Sequence, residues 1–223
     1  MYDIVLFDLD GTLTRSEVGI VNAIMYALSK LNITLDDKSI LKKFIGPPLA
    51  KSFMKYFDFT EDRAKEAVSY CQEYMREKGV YEAPLYDGIK EVLETLFHKR
   101  KRVFIATSKP EEFANQIIKH LHIEDFFEGI VGANLDGTQT DKAEVIKLLL
   151  EKYAITEKSK VVMVGDREHD ILGAISNNID SVGVLYGYGE RAELVLAGAT
   201  HIIERPAELP DIIEMRETFE GDL

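Results

Sequence analysis

The first eleven residues constrain this 223-residue chain more than any other stretch. Four consecutive apolar residues, Ile4–Phe7, lead directly into Asp8, Leu9, Asp10 and Gly11. A short apolar run that includes β-branched residues is typical of a strand buried on both faces of a parallel sheet. Two carboxylates at the carboxyl end of such a strand are costly, because like charges close together resist ionising together. The stretch therefore predicts a buried strand that carries Asp8 and Asp10 to its end.

The residue types after this strand indicate phosphate and metal chemistry. A divalent cation would offset the repulsion between the two carboxylates, and Mg²⁺ prefers oxygen ligands of this kind. Gly11 permits a sharp turn that can point amide groups at an anion, and Thr12 adds a hydroxyl donor. The alternative is an ordinary turn, because Asp and Gly are common in turns. The choice between the two depends on whether the rest of the chain supplies further partners.

Charge and cysteine content narrow the function classes. The chain has 27 basic and 39 acidic residues, a formal charge of −12, which argues against a nucleic-acid-binding protein. Its one cysteine, Cys71, excludes an intramolecular disulfide and favours a reducing compartment, and we interpret it as a packing residue. No apolar run approaches membrane-spanning length, and no signal peptide is predicted. We expect a cytoplasmic monomer or homodimer that does not bind membranes.

The order of helical and apolar segments predicts the fold class. From residue 81 onward, helical patterns alternate with short apolar runs at 103–107, 129–132, 161–164 and 181–185. This alternation predicts an α/β protein with a doubly wound parallel sheet. Residues 16–80 carry helical patterns and no convincing strand, including short helices over 36–45 and 49–57. We therefore predict a core formed by residues 1–15 and 81–223, interrupted by an all-helical cap at 16–80.

Hydroxyl side chains follow the predicted strand at 103–107. Ligands of open α/β sheets bind at the carboxyl ends of the strands, so Thr107 and Ser108 are candidates for phosphate contacts. Ser108 and Glu111 also have the spacing of a capping box, which would make Ser108 simply the start of a helix. For Ser108 the two interpretations are about equally supported.

One lysine and two aspartates are the remaining candidates for site residues. Lys142 lies at the amino end of a predicted helix, where a positive charge opposes the helix dipole. It is either a solvated surface lysine or, as we favour, the charge that neutralises a phosphate. Asp166 and Asp170 follow the strand at 161–164 and, four residues apart, share one face of a helical turn. They either complement the helix dipole or, as we favour, form a metal site with Asp8 and Asp10.

Taken together, these motifs resemble the haloacid dehalogenase-like superfamily of phosphohydrolases. The resemblance rests on Asp8–Thr12, on Thr107 after an apolar strand, on Lys142, and on Gly165–Asp170 with its terminal aspartates. Within the superfamily the chain looks like the phosphoglycolate phosphatase and 5′-nucleotidase group, and the helical insert resembles a C1-type cap. Lys142 matches the family pattern, but the residue after it does not: Ala143 stands where many relatives have proline.

The resemblance implies a Mg²⁺-dependent phosphatase for a small phosphorylated metabolite of the phosphoglycolate, nucleotide or sugar phosphate type. Asp8 would attack phosphorus and become an aspartyl phosphate, and Asp10 would serve as general acid and base. Mg²⁺ would be held by Asp8, the Asp10 carbonyl, Asp166 and, through water, Asp170. One histidine among carboxylates suits Mg²⁺ better than zinc, so His169 is predicted either to be structural or to support the metal ligands without binding the metal. The implied phosphate contacts are the amides of Gly11 and Thr12 together with Thr107, Ser108 and Lys142.

Residues 42–49 resemble the family's cap specificity loop. Lys43 is the candidate substrate contact there, with a plain surface lysine as the alternative. A second enzymatic hypothesis is a β-phosphoglucomutase-like phosphomutase, but Pro47, Pro48 and Leu49 occupy much of the loop where such an enzyme needs basic residues. A third hypothesis is a binding module switched by phosphorylation of Asp8. The inserted cap and the presence of Asp10 count against it.

Overall fold

A computed structural model describes residues 1–35 and 37–215 of the chain. In this part of the chain, parallel strands form one six-stranded sheet in the order β3-β2-β1-β4-β5-β6. The strands are β1 Ile4–Phe7, β2 Arg102–Pro110, β3 Gly129–Ala133, β4 Val161–Gly165, β5 Asp180–Val184 and β6 His201–Ile203. The predicted doubly wound α/β sheet is therefore confirmed. The order reverses between β1 and β4, which is where ligands bind in such sheets.

Helices connect the strands. The α-helices are α1 Glu17–Lys30, α2 Leu49–Phe57, α3 Glu61–Glu77, α4 Ile89–His98, α5 Glu111–His120, α6 Lys142–Lys152, α7 Glu168–Ser176, α8 Arg191–Ala197 and α9 Leu209–Glu214. Short 3-10 helices lie at Lys38–Phe44, Gly79–Tyr81, Glu124–Phe126, Lys158–Lys160 and Pro206–Glu208. No helix among the described residues is both long enough and apolar enough to cross a membrane.

The sheet is buried on both faces, which explains the unbroken apolar strand at the start of the sequence. Val5 and Phe7 pack into a layer that includes helix α4, whereas Leu6 points into the opposite layer with helix α6. Successive strand residues point to opposite faces, so a strand with both faces covered needs apolar residues at every position. All four residues of β1 are buried.

Helices α1, α2 and α3 lie between β1 and β2, where the sequence predicts a cap. Helix α3 begins after Thr60, whose hydroxyl accepts a hydrogen bond from the Arg63 amide at 3.3 Å. Cys71 lies fully buried on the inner face of this helix, as its assignment to packing predicts. The segment predicted as a helix over 36–45 forms a 3-10 helix at Lys38–Phe44 instead. The boundaries at 15/16 and 80/81 stay predictions, and residues 216–223 of the predicted core lie outside the described residues.

Strand β2 differs most from its predicted bounds. It continues three residues past Thr107 to Pro110, and its register against β3 shifts between Ala106 and Pro110. A bulge of this kind redirects the side chains of the residues it contains. The irregular segment lies beside the end of β1, so it determines where Thr107, Ser108 and Lys109 point.

Candidate active site

The candidate site lies at the carboxyl ends of the two central strands. Asp8 follows β1, and its amide donates to the carbonyl of Val164 in β4 at 2.9 Å. Asp166 comes just after β4, and Asp170 lies in the first turn of α7. One carboxylate oxygen from each of the three aspartates lies within 4.8 Å of the others. The structure therefore brings Asp8, Asp166 and Asp170 together, although they come from two distant parts of the sequence.

Lys142 is the cation that contacts this cluster. As the first residue of α6, it extends its ammonium group to Asp8 Oδ1 at 2.9 Å and Asp170 Oδ1 at 2.8 Å. The Lys142 ammonium also donates to the carbonyl of Ala106 at 3.0 Å. Burial alone would lower the pKa of Lys142, but the carboxylates of Asp170 and Asp8 outweigh it and hold that pKa above its ordinary value. Lys142 is thus a buried, charged group and not a solvated surface lysine.

The carboxyl groups of the cluster are difficult to ionise together. Burial raises the pKa of Asp8 from 3.8 to about 6, although Lys142 acts in the opposite direction. Burial also raises the pKa of Asp166 well above its ordinary value, and the charges of Asp170 and Asp8 add to the effect. Asp166 is fully buried and accepts a hydrogen bond from the amide of Tyr188 at 2.8 Å. The sequence does not predict a role for Tyr188 in the site, because its contact with Asp166 is made by a main-chain amide in a loop.

The donor set fits a divalent cation. Three carboxylates and the Lys142 ammonium leave a formal charge of −2 in a buried volume. Buried charges need a partner, and carboxylate oxygens are hard ligands that suit ions such as Mg²⁺. The acidic cluster of Asp8, Asp166 and Asp170 could therefore hold a metal ion.

Asp10 lies outside this cluster and has different partners. Lys109 donates to both of its carboxylate oxygens, at 2.9 and 3.1 Å, and Ser16 donates through its hydroxyl. The ammonium of Lys109 is nearly buried, with 6 % of its side chain exposed. Lys109 and Ser16 are site residues that sequence analysis missed. The signal available for Lys109 was its position directly after Thr107 and Ser108, at the end of a strand next to β1.

The turn after Asp8 closes through hydrogen bonds of its own amides. The amide of Gly11 donates to the carbonyl of Thr14 at 2.9 Å, and that of Thr12 to the carbonyl of Leu9 at 3.4 Å. The Thr12 hydroxyl donates to Asp166 at 3.4 Å. Gly11 is required here because its φ is +86° and a Cβ would collide with the Asp166 carboxylate. Gly11 and Thr12 therefore shape the turn and hold Asp166, and their contact with a phosphate stays a prediction.

Thr107 and Ser108 both line the same cavity, next to Asp8 and Asp10. The Thr107 hydroxyl accepts from the amide of Lys109 at 3.2 Å, which leaves its proton available to another acceptor. The Ser108 hydroxyl donates to the carbonyl of Thr140 at 2.9 Å. The alternative capping box with Glu111 does not form, because Pro110 precedes α5 and no side chain caps that helix.

The helical insert contributes part of the cavity wall. Residues from the predicted specificity loop, Gly46–Leu49, contribute to its wall. Lys43 does not: its side chain is exposed, and its ammonium lies 6.0 Å from the ring centre of Tyr56. The solvated-lysine alternative thus describes where the structure places Lys43. His169, predicted to be structural or to support the metal ligands, lies at the cavity edge with its side chain exposed.

Arg167 connects the acidic cluster to the specificity loop. Its guanidinium donates to the carbonyl of Ile45 at 2.8 Å and to Glu193 at 2.8 Å. Glu193 also accepts the amide of Glu168 at 2.9 Å, which fixes the carboxylate in place. Arg167 lies one residue after Asp166, so this contact joins the predicted metal site to the main chain that leads into the Gly46–Leu49 segment. The sequence alone gave Arg167 no role.

Comparison with known proteins supports the family indicated by the motifs. Residues 5–184 match the model of the haloacid dehalogenase-like hydrolases. A 5′-nucleotidase from Pseudomonas aeruginosa is 42 % identical over 213 residues, which cover 96 % of both chains. The tyrosine-protein kinase PtkA of Mycobacterium tuberculosis is 34 % identical over 211 residues, covering 95 % of this chain and 71 % of PtkA. The crystal structure of a predicted phosphatase from Clostridium acetobutylicum has a TM-score of 0.91 and 43 % identity, covering 96 % of this chain and 100 % of that one.

These matches span the sheet, the insert and all four motifs. They agree with a geometry in which a buried aspartate, a lysine and two further acids meet at the ends of the central strands. The chain belongs to the haloacid dehalogenase-like hydrolase family and is one of its phosphatases.

Proposed function

We propose that this phosphatase hydrolyses the phosphomonoester of a small metabolite with the help of Mg²⁺, by way of a covalent phosphate on Asp8. One observation carries the proposal: Asp8, Asp10 and Lys142 line the same cavity, and Asp8 also belongs to the acidic cluster with Asp166 and Asp170. A nucleophile, a neutralising cation and a separate acid are the groups that phosphoryl transfer through a carboxylate requires.

Asp8, Asp166, Asp170 and the carbonyl of Asp10 would hold Mg²⁺, which when bound neutralises charge on the phosphoryl oxygens. The carboxylate of Asp8 attacks phosphorus, and the bond from phosphorus to the leaving oxygen breaks. Lys142 supplies positive charge beside the phosphoryl group, and the Thr107 hydroxyl donates a hydrogen bond to it. Such fixed donors and charges provide most of the catalysis in phosphoryl transfer.

Asp10 is the proposed acid and base. It gives a proton to the leaving oxygen and later takes one from the water that hydrolyses the aspartyl phosphate. Lys109 and Ser16 hold its carboxylate at the cavity wall, so the same group can face both the leaving group and the incoming water. This separates the roles of two aspartates that are only two residues apart.

The substrate range is proposed at the level of phosphorylated small metabolites, in a cytoplasmic protein. Relatives carry the names 5′-nucleotidase and phosphoglycolate phosphatase, which correspond to nucleotide and phosphoglycolate substrates. The phosphomutase and the phosphorylation switch remain the alternatives to be tested. Neither is favoured by a specific contact among the described residues.

Phosphate release in the presence and absence of Mg²⁺ tests the proposal. The wild type is expected to release inorganic phosphate with Mg²⁺ and to release none in excess chelator. When the reaction on a substrate with a labelled phosphate is quenched with acid during turnover, the protein is expected to carry the label. The Asp8→Asn variant is expected to show neither phosphate release nor labelled protein. Asp3→Asn is the matched control, because Asp3 is a half-exposed acid at the other end of β1.

Four results would contradict the proposal. Turnover that survives in Asp8→Asn would exclude Asp8 as the nucleophile, and full activity in chelator would exclude the metal. Phosphate that moves within a sugar, or stays on the protein without release, would instead support the mutase or the switch.

A further inference from the structure

Part of the cavity wall is apolar. Helix α3 contributes Val68, Cys71 and Met75, which are spaced so that they share one helix face. Phe44 from the insert and Phe113 from α5 complete this wall. Phe44 is held firmly, since its ring lies 5.2 Å from that of Phe53. A leaving group that departs from the phosphoryl group toward α3 therefore meets an apolar and preformed surface.

The lysine and arginine side chains among the described lining residues are already paired. Lys142 contacts two carboxylates of the acidic cluster, and Lys109 contacts both oxygens of Asp10. Arg167 is bound to Glu193 and to a main-chain carbonyl. The polar residue on the cap side, Gln72, is uncharged and donates to the carbonyl of Leu135 at 2.7 Å.

This arrangement disfavours a charged leaving group. The carboxylate of phosphoglycolate lies two carbons from the ester oxygen, so it would enter the same cavity as the phosphoryl group. It would lose its hydration without gaining a lysine or arginine that is free of another partner. A second phosphate would meet the same difficulty. An uncharged ring, in contrast, can contact Val68, Met75 and Phe113 without loss of hydrogen bonds to water.

We propose that the cavity selects phosphomonoesters whose leaving group is uncharged and carries a ring, as in a nucleoside or an aryl alcohol, and that it rejects leaving groups with a carboxylate or a further phosphate. The inference rests on the proposed function and refines its substrate class. It assigns specificity to the apolar face of α3, in place of Lys43 in the predicted specificity loop.

Two matched substrate pairs isolate the charge of the leaving group. Adenosine 5′-monophosphate differs from adenosine 3′,5′-bisphosphate by one phosphate, and the amide of phosphoglycolate differs from phosphoglycolate by one charge. We expect kcat/KM for release of the 5′-phosphate to be at least tenfold higher for the monophosphate, and the amide to exceed phosphoglycolate by a similar factor. Phenyl phosphate distinguishes a general preference for rings from one for nucleosides. Equal values within either pair would overturn the inference.

A charge added to the wall should change the preference. Val68→Lys is expected to raise kcat/KM for phosphoglycolate at least tenfold and to lower it for adenosine 5′-monophosphate. Ser69→Lys is the matched control, because Ser69 is the next residue of α3 and is exposed. It is expected to leave both values within twofold of the wild type. A Val68→Lys variant that changes both substrates by the same factor would contradict the assignment.

Affinity separates this inference from the proposed function. Calorimetric titration of Asp8→Asn with the same substrates in Mg²⁺ requires no turnover. Tighter binding of the monophosphate than of the bisphosphate, by tenfold or more, would support the selectivity of the cavity even if the wild type hydrolysed none of these compounds and the proposed reaction failed. Equal affinities would overturn the inference even if the wild type proved to be a Mg²⁺-dependent phosphatase.

Discussion

Replacing Asp8 by asparagine is expected to abolish turnover and, in metal-free protein, to raise stability above pH 6. The wild-type carboxyl group is buried, and its pKa is raised from 3.8 to about 6 mainly by that burial. A folded state with a raised carboxyl pKa holds its proton more tightly than the unfolded chain does. The wild type therefore loses stability as the pH rises from about 4 to about 6, and the loss is complete at higher pH. Asparagine has no proton to lose.

The size of the stability difference follows from the pKa shift of Asp8. Two pKa units correspond to about 3 kcal/mol, since one unit is about 1.4 kcal/mol. This value already contains the attraction of Lys142, because that contact is part of what sets the pKa of Asp8. At pH 8 the variant is thus expected to be more stable by about 3 kcal/mol, or roughly 6–12 °C in Tm for a chain of this length. The difference should shrink to about 0.5 kcal/mol at pH 4 and vanish below about pH 3, because wild-type Asp8 is then protonated in both states.

Urea unfolding at pH 4, 6 and 8 in chelator measures this difference directly. Asp3→Asn, at the exposed end of the same strand, is expected to stay within about 0.5 kcal/mol of the wild type at each pH. Saturating Mg²⁺ should stabilise the wild type more than Asp8→Asn, because it binds the folded carboxylate cluster. An Asp8→Asn variant that is less stable at pH 8 without metal, or a difference at pH 4 as large as the one at pH 8, would refute the electrostatic reasoning.

Three further substitutions test the other groups of the site. Asp10→Asn should lower turnover of alkyl phosphates by roughly 10²–10⁴-fold and that of aryl phosphates less, as measured by rapid quench, because aryl leaving groups need little protonation; equal losses would exclude general acid catalysis. Asp166→Ala should weaken Mg²⁺ binding by at least about tenfold in calorimetric titrations, and unchanged affinity would remove it from the ligand set. Arg167→Lys keeps the charge but cannot bridge Ile45 and Glu193, so KM should rise with little change in kcat, and proteolysis should increase after residue 45. A proteolysis pattern identical to the wild type would show that this contact does not hold the loop.

The fold was predictable because burial leaves a strong signal in this sequence. A strand covered on both faces must be apolar throughout, and β1 and β4 both show this pattern. The end of β2 was not predictable in the same way. The segment from Thr107 to Pro110 satisfies the pattern of a helix start, with Ser108 and a proline in the right places, but the shifted pairing with β3 keeps it extended. That pairing is a tertiary contact, and local sequence does not contain it.

The acids of the site were predictable for a physical reason that does not extend to the lysines. A carboxylate placed directly after an apolar strand is costly, so its presence at Asp8 and Asp166 calls for a function. A lysine is common on any surface, so residue type alone cannot distinguish Lys109, which is nearly buried on Asp10, from Lys43, which is exposed. The distinction comes from the bulge in β2, which directs Lys109 into the cavity.

The different roles of Asp8 and Asp10 also depend on tertiary structure that residue type alone does not predict. In an extended strand, Asp8 and Asp10 would point to the same side, because side chains alternate with a period of two. The strand ends at Phe7, however, and the following turn closes on itself through the amides of Gly11 and Thr14. Asp8 consequently faces a lysine that it shares with another acid, whereas Asp10 faces a lysine of its own. The division of roles between Asp8 as nucleophile and Asp10 as acid therefore depends on this turn. In the sequence, Gly11 is the residue that indicates the turn.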